Sequence, residues 1–139
     1  MYNEDIDQDN GPEEWRLFRE EVKALDAVLF VTPEYNRSVP AVLKNALDIA
    51  SRPMAASSWT GKPGGIVSVS PGKIGGFGAS NHLRQIATSL NIYMMQQPEA
   101  YIGGIADAVD ANGVTDKGFQ DFLRKYAMAF ADWVNKFIS

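Results

Sequence analysis

The sequence predicts an α/β fold built on a mainly parallel sheet. Three observations carry that expectation: short apolar runs of strand length alternate with longer stretches of helical periodicity, the short runs carry no charge, and Gly/Pro/Asn/Asp-rich segments separate the two kinds. The 139 residues fit a single domain, 1–139, and 45% hydrophobic residues are enough for a core of ordinary size.

Residues 1–11 are acidic, with Glu4, Asp5, Asp7 and Asp9, and read as an exposed lead-in with no element of its own. Pro12 followed by Glu13 and Glu14 starts a helix, because proline suits the first turn and carboxylates suit the positive end of the dipole. Trp15, Phe18, Val22 and Leu25 then recur at helical spacing, and Asp26 ends the helix. The run 27–32 reads as a strand with both faces buried, as in a parallel sheet covered by helices. Leu43, Ala46, Leu47 and Ala50 predict a helix over 41–51 with Pro40 in its first turn, and 52–63 is a loop. A second buried strand spans 64–70, and 71–78 is too rich in glycine for any regular element. Leu83, Ile86, Ala87 and Leu90 mark a helix over 79–90, followed by a short strand at 92–95. Residues 101–111 read as irregular and Asn112-Gly113 as a turn. The closing helix, 116–137, carries the stripe Phe119, Phe122, Leu123, Tyr126, Phe130, Trp133 and Phe137, which reads as core rather than as a cofactor box.

Net charge is −4, from 13 basic and 17 acidic residues, and the basic ones are scattered, so neither nucleic acid nor an anionic membrane is an expected partner. The absence of cysteine removes disulfides, thiolate nucleophiles and Cys-based metal sites. His82, alone, makes no metal site and reads as an exposed or hydrogen-bonded helix residue. No apolar run approaches the roughly 20 residues of a membrane span, and the N-terminus lacks the order of a signal peptide, so the expected location is the cytoplasm.

Right-handed crossovers place the loops after the first two strands at one carboxyl edge, where open α/β sheets bind ligands. The first loop, 33–40, holds two prolines, a carboxylate, an aromatic ring, an amide and a guanidinium. In the second, Gly76-Phe77-Gly78-Ala79-Ser80-Asn81 fails the dinucleotide fingerprint at its last position, and no Walker pattern is present. That loop reads as backbone approaching a flat ligand, with N–H donors at the start of the helix from Ala79. Plainer readings stand beside these: Glu34 and Arg37 as a surface pair, Tyr35 as a core cap, Asn36 as a turn former, the glycines as a tight turn, and Lys73 as a solvated lysine.

Thr32 to Pro40, with Leu43-Lys44-Asn45-Ala46-Leu47-Asp48, Gly61-Lys62-Pro63, Ser70-Pro71-Gly72, Gly75-Gly76 and His82-Leu83-Arg84, resembles the NAD(P)H-dependent FMN reductase family over essentially the whole chain. The resemblance implies a flavodoxin-like three-layer sandwich, FMN and NAD(P)H as cofactors, and a quinone or other small molecule as electron acceptor. It implies that Pro33, Glu34, Tyr35, Asn36 and Arg37 border the flavin ring, and that Ser70, Pro71, Gly72 and Gly75 lie along its pyrimidine side. Hydride transfer between stacked rings needs no side-chain acid, so no catalytic residue is assigned. Relatives are dimers or tetramers, which implies a homodimer or homotetramer and a subunit contact at Trp59. One departure stands out: the family's opening strand, phosphate loop and helix have no match here, so the fold is expected to be N-terminally truncated, with 27–31 at a sheet edge. The alternative function is therefore a non-catalytic flavodoxin-like fragment or interaction module without bound FMN.

Overall fold

The computed structural model describes residues 1–8 and 11–138, and the expected alternation is present. In chain order the elements are α1 (Glu13–Ala24), β1 (Val28–Pro33), α2 (Ala41–Ala50), β2 (Pro63–Ser70), α3 (Phe77–Ser89), β3 (Tyr93–Met94), β4 (Ala100–Gly103), β5 (Val109–Asp110), β6 (Gly113–Val114) and α4 (Lys117–Val134).

β2 is the middle of the main sheet. β1 pairs with it in parallel from Val28↔Gly64 to Pro33↔Val69. On its other side β3 pairs with Pro63 and Gly64, and β4 pairs with Val67 to Ser70, again in parallel. β3 and β4 therefore follow one another along one edge, and the sheet is three strands wide. Alternate side chains point to opposite faces. Phe30 and Ile66 on one face pack with Val22 of α1, Leu47 of α2 and Leu83 of α3. On the other, Val67, Ala100 and Ile102 pack with Phe119, Phe122, Tyr126 and Phe130 of α4, and the Tyr126 hydroxyl donates to the Ile66 carbonyl at 2.9 Å. The result is helices, sheet, helix: three layers around two apolar clusters.

Four expectations are corrected. Residues 1–8 are mostly exposed, as expected, but they do form an element and are docked: Glu4–Ile6 form a 3-10 turn, and Asp7 forms an ion pair with Arg19 at 2.7 Å, both side chains about nine-tenths buried. Arg19 also donates to the Ile49 carbonyl, and the Tyr2 ring lies against Trp15, so the segment is fastened to α1 and α2. Asp9 lies outside the described residues. Second, β1 is not buried on both faces: Leu29 is 44% and Val31 65% exposed, because α4 covers β2 and β4 and stops short of β1. β1 is an edge strand, as the sequence implied. Third, residues 101–103, expected to be irregular, belong with Ala100 to strand β4; β5 and β6 form a hairpin around Asn112. Fourth, Trp59 is 4% exposed, packs on Phe30 and Phe18, and donates to the Leu47 carbonyl, so it is core rather than a surface contact. No helix among the described residues is long and apolar enough to cross a membrane.

Candidate functional site

Because Pro33 lies beside Val69 in the β1–β2 register, the two loops leave the sheet side by side, as the topology predicted. The first is a tight hairpin. Tyr35 and Ser38 exchange backbone hydrogen bonds of 2.9 and 3.0 Å, and Asn36 and Arg37 between them take φ values of 49° and 68°. Two consecutive positive φ angles are the signature of a type I′ turn, unusual for an arginine. The turn directs Tyr35, Asn36 and Arg37 outward, Tyr35 being 62% exposed.

The second loop is pressed onto the sheet at its far end and open at its near end. A Cβ on Gly75 would sit 2.4 Å from the Tyr101 carbonyl carbon, and one on Gly76 would sit 2.8 Å from the Ser68 Cβ. Ser68 donates to the Gly75 carbonyl at 2.8 Å. Packing against β2 and β4 thus dictates glycine at these two places. Gly72 differs: nothing lies within 4 Å of its would-be Cβ, so its surroundings are open space. Ser70 donates from its hydroxyl to the Gly72 carbonyl at 2.9 Å, which shapes the exposed stretch Pro71 to Ile74.

Glu34 joins the first loop to the start of α3. One carboxylate oxygen accepts from the Ala79 N–H at 3.1 Å, and the other accepts from the Arg37 guanidinium, also at 3.1 Å. The Glu34 side chain is 10% exposed while that of Arg37 is 71% exposed. The backbone bond from Ala79, opposed by desolvation and aided by the Gly78 N–H and Arg37, holds the Glu34 carboxyl below the usual carboxylate range. Gly78 is glycine for the same reason: a Cβ there would lie 2.9 Å from both the Arg37 carbonyl oxygen and the Glu34 carboxylate. A second tie runs from the Ser38 hydroxyl to His82 Nδ1, 3.0 Å apart, with His82 exposed on α3.

This changes the reading of the helix start. α3 begins at Phe77, two residues before the expected Ala79, and the Ala79 N–H is already satisfied by the chain's own carboxylate. It is not an open donor for a ligand. Sequence reasoning missed this partner because Glu34 and Ala79 are 45 positions apart; the available signal was an acidic residue at a strand's carboxyl end facing a glycine-rich helix start.

The nine residues singled out in the sequence fall into three groups. Pro33, Tyr35 and Asn36 from one loop and Pro71 and Gly72 from the other are exposed along one sheet edge, with Ser70 half-buried beside them. Glu34 and Arg37 pair with each other and hold the turn to α3. Gly75 is buried and packs the second loop on β4. An exposed rim with an aromatic ring, two prolines, an amide and an unobstructed glycine fits the face and edge of a planar heteroaromatic ring.

A family model described as NADPH-dependent FMN reductase matches residues 1–107. The chain is 53% identical over 134 residues to a quinone reductase of Pseudomonas putida, covering 96% of this chain and 72% of that protein. It is 45% identical over 135 residues to a 2-hydroxy-1,4-benzoquinone reductase of Burkholderia sp, covering 96% and 73%. Among solved structures, the flavoenzyme NAD(P)H:(acceptor) oxidoreductase FerB of Paracoccus denitrificans superposes with a TM-score of 0.90 at 42% identity, covering 98% of this chain and 75% of that one. An oxidoreductase of Corynebacterium diphtheriae, with a TM-score of 0.66 at 15% identity over 92% of this chain and 64% of its own, shares the fold.

Proposed function

The chain belongs to the NADPH-dependent FMN reductase family, a family of oxidoreductases, and on that premise we propose that it binds FMN at the rim formed by the β1 and β2 loops and reduces a quinone at the expense of NAD(P)H. The observation that supports the reading is the parallel β1–β2 register, which sets the Tyr35–Asn36 turn beside the Ser70–Gly72 stretch at one sheet edge, with Glu34 holding the turn to the start of α3. When bound, FMN supplies the chemistry: it accepts a hydride from the nicotinamide and passes reducing equivalents to the acceptor.

The chain's own residues bind and orient. Tyr35 and Pro33 offer apolar surface for one side of a ring, and the Asn36 amide offers both a donor and an acceptor to a ring edge. Gly72 lets main chain approach without a side chain intervening. Glu34 and Arg37 set the turn in place, and Gly75 anchors the second loop to β4. The rim is open, which suits an acceptor recognised by stacking rather than by a dedicated pocket. The assembly that goes with this reading is a homodimer or homotetramer in the cytoplasm.

The test is direct. The purified chain, titrated with FMN, should develop the perturbed visible spectrum of bound flavin and then oxidise NADH or NADPH in the presence of benzoquinone. A spectrum identical to free FMN at every protein concentration would overturn the reading and favour an interaction module without flavin.

A further inference from the structure

A second site lies at the other end of the sheet. β3 pairs with Pro63 and Gly64, the amino end of β2, whereas the rim described above lies beyond Ser70; at ~3.3 Å per residue the two are separated by roughly 20 Å along β2. Beside β3, α3 and the end of α4 border a groove of about 490 Å³, within the range of small-molecule sites. Its walls include Arg84, Tyr93, Trp133 and Phe137.

The aromatic walls are organised. Tyr93 and Phe137 stack with centroids 5.3 Å apart, Phe137 meets Trp133 edge-on at 5.1 Å, and the Trp133 indole N–H donates to the Tyr93 carbonyl at 2.8 Å. Arg84 is the polar end. Its guanidinium donates to the Met95 carbonyl at 3.2 Å, its Nε is buried without a hydrogen-bond partner, and no carboxylate pairs with it among the described residues. Burying a cation is costly unless an anion compensates it, so half-buried Arg84 offers a ready partner for an anionic ligand. None of the described residues lining the groove is acidic, and a second cation, Lys136, lies 5.4 Å from the Trp133 ring centroid.

We infer that this groove binds a small aromatic carboxylate, its carboxylate on the Arg84 guanidinium and its ring against Tyr93 and Phe137. A planar anion answers both unmatched features at once: the fork of Arg84 pairs with a carboxylate in bidentate geometry, and offset or edge-on aromatic contacts hold the ring. The site is separate from the rim and does not depend on flavin.

Benzoate is the probe. The chain has three tryptophans, so three indole N–H resonances report on ligand binding in an NMR titration, and Trp133 is the one at the groove. Benzoate should shift the Trp133 indole saturably and leave those of Trp15 and Trp59 in place. Benzyl alcohol, which keeps the ring without the charge, and acetate, which keeps the charge without the ring, should each bind at least tenfold more weakly. Arg84→Gln should lower benzoate affinity at least tenfold. Arg84→Lys, retaining charge without the fork, should fall between. Benzoate and benzyl alcohol binding alike in the unaltered protein would overturn the proposal without any variant. So would equal binding of acetate, unchanged benzoate affinity in a folded Arg84→Gln protein, or shifts that map to the rim.

Discussion

At the residue scale the informative contrast is between glycines that packing demands and one that it does not. Gly75→Ala places a Cβ 2.4 Å from main chain at a φ of 65°, and should destabilise the fold by at least about 3 kcal/mol in urea unfolding. Gly72→Ala meets open space and should leave the unfolding midpoint unchanged while weakening FMN binding by roughly tenfold, as read by flavin fluorescence. Tyr35→Ala and Asn36→Ala should likewise weaken FMN more than His82→Ala does; the reverse order would move the ring away from the turn. Glu34 adds a pH dependence. Because its carboxyl is held below the ordinary value, its contribution to stability is complete above the ordinary glutamate range and is lost as pH falls through the folded value. The stability gap between the unaltered protein and Glu34→Gln should therefore be constant from neutral pH down to about pH 5 and shrink below that, as denaturation midpoints across pH would reveal.

At the scale of elements, periodicity made the helices legible, because α1, α2, α3 and α4 each bury one face and their apolar residues recur accordingly. β4 was not legible. Ala100 to Gly103 is four residues with a glycine at its end, and it becomes a strand through pairing with β2, a partner more than 30 positions away. The turn of the first loop was legible only in part: Asn36 announces a turn, but Arg37 at a φ of 68° does not. The same limit hid the docking of residues 1–8, which depends on Asp7 meeting Arg19 across the segment boundary. That pair is nearly fully buried, so Asp7→Ala should cost about 3 kcal/mol by removing one side of a buried ion pair, measurable by urea unfolding, with Arg19→Met less damaging than Arg19→Ala.

At the scale of the whole molecule, the sequence placed the two loops at one sheet edge, and topology alone sufficed for that, since it follows from parallel strands and right-handed connections. What it did not yield is how unevenly the sheet is covered. Three helices protect one face, and a single helix protects β2 and β4 on the other, so Leu29 and Val31 of the edge strand stay open. An uncharged apolar edge strand is a template for intermolecular pairing. Val31→Lys should therefore reduce concentration-dependent self-association in light scattering, with little change in the unfolding midpoint because the side chain is 65% exposed.

The carboxylate of Glu34 at the start of α3 bears on how the protein is handled as well as on how it works. A helix end that must wait for an anionic ligand stays frayed until that ligand arrives, and cofactor loading is then coupled to folding. Here the chain brings its own counter-charge, so flavin-free protein should emerge from purification with α3 and the turn already formed. Adding FMN should raise the melting temperature only by mass action, growing with the logarithm of its concentration, with no gain in helical circular dichroism.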